Sequence, residues 1–396
     1  MKYLFWLPDL LQNMMLSAPF KLAGIDLRTN FGQYFAGGTD FWSSIEPVHV
    51  PSLVGHKELF CSLNHHYDPE LVSVFGPTPD SSTCILHTAP WESDGHPVPV
   101  LLVHGAALNG NSWVVDFEED GEGLARYLSK QGFRVFAVTF SHTHGDNLIQ
   151  AAQIAQVIEL ICERTACDQI DLVCHSKGGI VCRTWLQGMI GETYPGNVRR
   201  LVFTGTPNLG TDQVFRHPLL SVMGYTAGVS SVVAYDRMWI MGMLKNTTLE
   251  SIYGEGSFRG QTQLLHEWAP SIPLDLLEPE VETTYYGGFG MFGHSRGIKQ
   301  AIADGGHFLE KLNSLPFPSQ VEVSILAGSS NSIGQMRGES CAPSDGMVFV
   351  QSASYIEPFV RSGCHLRAVD TIAVNHLEMI YNEKAAKWVL HQLTAE

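Results

Sequence analysis

The sequence predicts an α/β chain, with a mostly parallel central sheet flanked by helices and a large insertion late in the sheet. Three observations predict it. From residue 97 onward, short continuous apolar runs alternate with helical patterns. The alternation stops between Thr206 and Pro318 and then resumes. The composition is that of a globular chain with a sizeable core: 396 residues, 44% of them apolar and only 16% charged.

The elements follow in order. PVPVLLVHG (97–105) is an unbroken apolar run ending in glycine, as a parallel strand buried on both faces should be. GLARYLSKQG (123–132) has helical spacing and a glycine stop, and FRVFAVTF (133–140) is the next strand. Residues 146–165 read as a long helix. Leu148, Ile154, Val157, Ile158 and Ile161 recur at helical intervals there, and Asp146 is placed as the N-cap. QIDLVCH (169–175) is a strand leading into the helical GGIVCRTWLQGMI, and VRRLVFTG (198–205) is the fourth strand of the run. VEVSILAG (321–328) and HLRAVDTIAV (365–374) restore strands, and NEKAAKWVLHQL closes with a helix. The resulting organisation is an N-terminal extension (1–95) of unknown role, a core in two pieces (96–206 and 319–396), and an insertion (207–318). Residues 1–95 show no clear periodic element.

The net charge of −16 argues against nucleic acid and against attachment to anionic lipid by charge, but leaves neutral and apolar substrates open. No run reaches the ~18 apolar residues of a membrane span. MKYLFWLPDLLQNMMLSA has a short apolar run broken at Pro8 and Asp9, so an amphipathic segment packed on the body is expected, with a cleaved signal as the alternative. The matching compartments are cytoplasm and, alternatively, secretion. None of the eight cysteines forms a paired C-x-x-C set, so a structural zinc site is not expected. Cys162, Cys174 and Cys182 read as small core residues, whereas a Cys341–Cys364 bridge is left open.

The chemistry concentrates at DLVCHSKGGIV. Ser176 stands between a strand and a helix, where a sharp turn exposes a nucleophile. Such a turn needs small residues two before and two after the serine; here they are Cys174 and Gly178. A serine hydroxyl needs a base, an acid that orients the base, and donors for the oxyanion. One donor is expected from the N–H of Lys177 at the helix start, with the lysine side chain facing the surface or the cap. The other is expected from Ala106, after His104 and Gly105, with His104 as a loop-stabilising residue. Asp345, in a Ser-Asp-Gly turn after a strand, is read as the acid in preference to Asp212 and Asp370. His376, 31 residues further on, combines a place after a strand with a following helix and is read as the base. His142 and His144 in SHTHGD, and the His65–His66 pair, are read as polar loop residues rather than metal ligands.

VLLVHG, DLVCHSKGG, LVFTGTPNLG, SDGMVFVQSA and NHLEMI each resemble a block of the lipase and esterase branch of the α/β-hydrolases, in that family's order. GGHFLEKLNSLP (305–316) is similar to the stretch leading from the lid to the next strand, and the resemblance spans residues 98–392. It implies an α/β-hydrolase fold and ester hydrolysis through an acyl-enzyme. Ser176, Asp345 and His376 would form the triad, and Ala106 and Lys177 would be the oxyanion donors. The insertion would be a lid over the serine, in transient contact with a lipid interface. There Met223, Tyr225, Trp239 and Met241, with Met238 and Met243, would line an acyl pocket or merely pack the cap. The expected partner is a small-molecule or lipid ester; the mechanism needs no cofactor or metal, and no protein partner is inferred. Two alternatives keep the same triad: an acyltransferase and a polyester depolymerase. A third is an apolar-ligand-binding pseudo-hydrolase.

Overall fold

A computed structural model describes residues 39–56, 58, 69–76, 80–92, 95–106, 108–114, 122–217, 259–278, 280–289, 294–333, 336–337 and 340–395. Its centre is an eight-stranded sheet. In chain order the strands are β1 (Ser44–His49), β2 (Thr83–Thr88), β3 (Val100–Val103), β4 (Val135–Thr139), β5 (Ile170–His175), β6 (Val198–Thr204), β7 (Glu322–Gly328) and β8 (Leu366–Ile372). They lie in the order β1-β2-β4-β3-β5-β6-β7-β8. β2 pairs antiparallel with both of its neighbours, and every other pairing is parallel. This is the α/β-hydrolase architecture that the sequence blocks implied.

The central strands are apolar runs because helices cover both faces. β3, β4 and β5 are buried along their whole length. One face packs under helix α2 (Asn147–Thr165), whose Ile154, Val157, Ile158 and Ile161 join Leu101, Val103, Leu172 and Cys174 in the larger core cluster. The other face carries α1 (Leu124–Lys130) and the C-terminal helix Glu383–Thr394, through Leu128, Val389 and Leu393. Asp146 caps α2, accepting from Leu148 N at 2.9 Å, and Asn382 caps the last helix in the same way at 2.9 Å. Each fully buried Leu or Ile contributes roughly 1.5–3 kcal/mol to this core.

Residues 1–95 do contain regular elements, contrary to the sequence expectation. β1 and β2 form one edge of the sheet, and Val48, Val50 and Leu53 enter the main core. β1 is hard to read from sequence because Pro47 sits inside it. Proline is tolerated there because β1 is the edge strand, where one row of backbone groups has no neighbour to serve. β2 has only three apolar residues, Cys84 to Leu86, between threonine and histidine. The amphipathic segment expected at the N-terminus lies outside the described residues.

Between β6 and β7 the chain makes a long excursion. Its described parts hold the helices Gln213–Arg216, Arg259–Thr262, Val281–Tyr286, Ile298–Asp304 and Phe308–Ser314. Phe215, Leu265, Ala269, Tyr285, Ile298 and Ala301 form a small core of their own. Leu264, Phe308, Leu309 and Leu312 pack on Ile180, which belongs to the helix after β5. No described helix is long and apolar enough to cross a membrane.

Asp212, the rival acid of the sequence reading, is structural. Its Oδ1 accepts from Arg216 Nε at 2.8 Å, and its Oδ2 accepts from the Tyr285 hydroxyl at 2.6 Å. Arg216 also donates to the carbonyls of Ile272 and Pro273, at 2.7 and 2.9 Å. Removing one member of a buried, satisfied pair leaves the other charge stranded. Arg216→Met is expected to cost about 3–5 kcal/mol in urea unfolding. A loss below about 1 kcal/mol, the range of exposed pairs, would mean that the pair is not buried in solution.

Candidate active site

The turn between β5 and α3 (Lys177–Leu186) is a single residue. Ser176 stands there with φ 52° and ψ −128°, in a region that a residue with a Cβ rarely occupies. Such a conformation costs on the order of 1–3 kcal/mol and persists only where the surroundings enforce it. Here Ser176 N donates to Thr204 O on β6 at 3.0 Å, and Gly179 N closes the first turn of α3 on Ser176 O at 3.1 Å. Two glycines make the close packing feasible. A Cβ on Gly178 would lie 2.5 Å from Val103 O and 2.6 Å from His104 O, and one on Gly105 would lie 2.7 Å from Ser176 Cβ. The small residue two before the serine is Cys174, whose Sγ lies 3.3 Å from that of Cys182 on α3. Between Ile170 and Gln187, Ser176 is the one residue that is not buried.

Asp345 and His376 meet beside this turn. His376 Nδ1 donates to Asp345 Oδ2 at 2.7 Å, and His376 N donates to Asp345 O at 2.8 Å. Asp345 Oδ1 accepts from Met347 N at 2.9 Å and Val348 N at 2.7 Å. These two donors fix the plane of the carboxylate. With Nδ1 facing Asp345, a neutral His376 ring carries its acceptor at Nε2. The link to the serine runs through β6. Thr204 O holds Ser176 N, and a Cβ on the next residue, Gly205, would lie 3.2 Å from both Asp345 Oδ2 and His376 Nδ1. The ring of His175, adjacent to the serine, lies 4.7 Å from that of His376.

The loop after β3 carries Ala106, which is half-buried. His104 holds this loop, as expected. Its Nδ1 donates to Gly105 O at 2.7 Å, and its Nε2 accepts from Phe140 N at 3.2 Å. Burial pushes His104 down to about 3, so the ring stays neutral and can serve one donor and one acceptor at once.

The side chain of Lys177 corrects the sequence reading. The surface or the cap was expected for it, but it is 1% exposed, and its ammonium donates to Gln150 Oε1 on α2. Lys177 is the first residue of α3, which packs against both β5 and α2, so its side chain meets another helix rather than solvent. Sequence reasoning does not single out His175, Gln150 or Glu58; the only local sign is a lysine opening an otherwise apolar helix.

The other residues weighed from the sequence are accounted for by local contacts. Asp370 lies in β8 and accepts from Trp388 Nε1 at 2.8 Å. His142 Nδ1 accepts from His144 N at 3.1 Å, and His144 Nδ1 accepts from Gln261 Nε2 at 2.9 Å. Cys341 and Cys364 are unbridged. Met223, Tyr225, Met238, Trp239, Met241, Met243 and the His65–His66 pair lie outside the described residues.

Residues 78–228 match a family described as Domain of unknown function (DUF7379). The structure is similar to the mature lipase BlEst2 of Bacillus licheniformis, with 17% identity and a TM-score of 0.46, covering 78% of this chain and 97% of that one. It is similar to the carboxylesterase CesB (YbfK) of Bacillus subtilis, with 14% identity and a TM-score of 0.42, covering 93% and 98%. It is also similar to the esterase RhEst1 of Rhodococcus sp. ECU1013, with 14% identity and a TM-score of 0.41, covering 79% and 96%.

Burial pushes His87 and His104 down to about 3, and lowers His144 and His175 well below their ordinary 6.5, with His376 adding to the effect at His175. The unfolded chain therefore takes up protons near pH 6.5 that the folded chain refuses. The stability these rings contribute is complete above pH 6.5 and is lost as the pH falls toward 3, by up to about 1.4 kcal/mol per pH unit for each ring. Glu58, raised to about 7 by burial, and Asp171, also raised by burial, work the other way, but they are two carboxyls against four rings. The urea midpoint is expected to be lower at pH 5 than at pH 7.5; equal midpoints would show these rings to be solvated.

Proposed function

We propose that this chain is a serine carboxylic-ester hydrolase acting through an acyl-enzyme. The observation that carries the reading is the buried Asp345–His376 hydrogen bond of 2.7 Å beside the strained, accessible Ser176. Ser176 Oγ attacks the ester carbonyl as His376 Nε2 takes its proton. Asp345 holds the ring in that tautomer and stabilises the imidazolium. His376 then returns the proton to the leaving alcohol, and water repeats the sequence on the acyl-enzyme. The N–H groups of Ala106 and Lys177 receive the oxyanion. Lys177 opens α3, where main-chain N–H groups lack helical partners and the dipole favours negative charge. Each such donor is worth about 10²–10³ in kcat.

The substrate is a small-molecule or lipid ester. The excursion between β6 and β7 acts as a cap over the acyl chain.

Hydrolysis of p-nitrophenyl esters from acetate to palmitate tests the reading. Wild type is expected to cleave at least one chain length, and Ser176→Ala to lose about a thousandfold or more. Asp345→Asn is expected to lose about 10²–10⁴ in kcat while folding normally, because the ring would be held in the wrong tautomer. Full activity in Ser176→Ala would remove the serine from the mechanism. Ester product accumulating on addition of an acceptor alcohol would redefine the enzyme as an acyltransferase.

A further inference from the structure

A buried lysine beside a nucleophile calls for an explanation. Taking an ammonium out of water is costly, and a packed apolar side chain usually fills such a space at lower cost. Burial pushes Lys177 down to about 7, against the opposing pull of the Glu58 and Asp146 carboxylates. The side chain is nonetheless held at its tip. Its ammonium donates to Gln150 Oε1 on α2, and Gln150 Nε2 donates to His142 O at 2.6 Å.

The surrounding groups form one connected cluster. Glu58 Oε1 accepts from Asp146 N at 2.6 Å. Asp146 Oδ2 faces Arg259 Nε at 3.0 Å, and its Oδ1 accepts from Gln263 Nε2 at 2.8 Å. Asn147 N donates to Gln263 Oε1 at 2.8 Å. The start of α2 and the loop before it therefore meet Lys177 through Gln150, and residues 259–263 of the excursion through Asp146 and Asn147.

We infer that Lys177 is a positioning residue for the oxyanion: its side chain, tethered to Gln150, fixes the residue whose main-chain N–H would receive the developing charge. This rests on the ester-hydrolase reading. The first residue of a helix is held by few main-chain bonds, so its N–H direction depends on what else restrains it. The bond from Gly179 N to Ser176 O holds the same peptide, and a further restraint is a side chain reaching across to α2. A donor displaced by as little as 1 Å can cost about a hundredfold in rate, while the ground-state ester is bound through other contacts.

Lys177→Met keeps the length of the side chain and removes the tether. Gln150→Leu removes its acceptor, leaves Lys177 in place, and decides the matter if Lys177→Met does not fold. Each variant is compared with wild type and Ser176→Ala for kcat and KM on the best p-nitrophenyl ester, for the rate of inactivation by a fluorophosphonate, and for Tm. The expected result is a fall of about tenfold or more in kcat for both variants, with KM within about twofold of wild type and a parallel fall in phosphonate inactivation. Unchanged kcat with a lowered Tm, in either folded variant, would reduce Lys177 to a packing role and overturn the inference. Activity present in wild type and lost in Ser176→Ala distinguishes that outcome from a failure of the hydrolase reading. A wild type inert to both ester and phosphonate would overturn the reading and this inference together.

Discussion

The backbone of Ser176 is held at φ 52° between a strand and a helix, and much of the molecule is arranged to keep it there. The strain is local, but the restraints come from three directions. Thr204 O on β6 fixes the amide of the serine, and the first turn of α3 closes on its carbonyl. The ends of β3 and its loop press so closely that residues 178 and 105 have no room for a Cβ. The central strands are buried on both faces and cannot yield, so the turn has nowhere to relax. One consequence is that the serine remains accessible amid buried neighbours. Another is that the chain after β6 passes close to Asp345 and His376.

A second feature is the number of polar groups kept inside. His104 braces the loop after β3 with both ring nitrogens. Arg183 on α3 is buried and donates to Asn208 and Asn313, tying the helix after the serine to the start and end of the excursion. Arg216 and Asp212 do the same within the excursion. These groups gain little over apolar packing in net free energy, because desolvation offsets most of the attraction. What they supply is direction, since a hydrogen bond penalises a small displacement that an apolar contact tolerates.

The parallel strands and covering helices after residue 97 are legible in the sequence because burial on both faces leaves an unbroken apolar run, and a half-buried helix leaves a repeat. Asp146 can be placed as a cap for a related reason: capping is settled within a few residues. The edge strands β1 and β2 are not legible. One carries a proline and the other is short, and each is a strand only because a neighbour across the sheet pairs with it. The burial of Lys177 is equally hidden, because its neighbours in the sequence say nothing about Gln150, which approaches from another helix.

By itself the sequence determined the alternation of strands and helices, the turn at Ser176, and the chain order of Ser176, Asp345 and His376. Each of these is written in spacing along the chain, where the apolar period and small residues act over a few positions. Only the tertiary structure decided that Asp345 rather than Asp212 reaches His376. It alone showed that His104 is a neutral brace and that a lysine lies buried behind the elbow. Those outcomes depend on which carboxylate, carbonyl or amide is brought within about 3 Å of a given side chain. That proximity is set by packing between distant segments, and no local pattern records it.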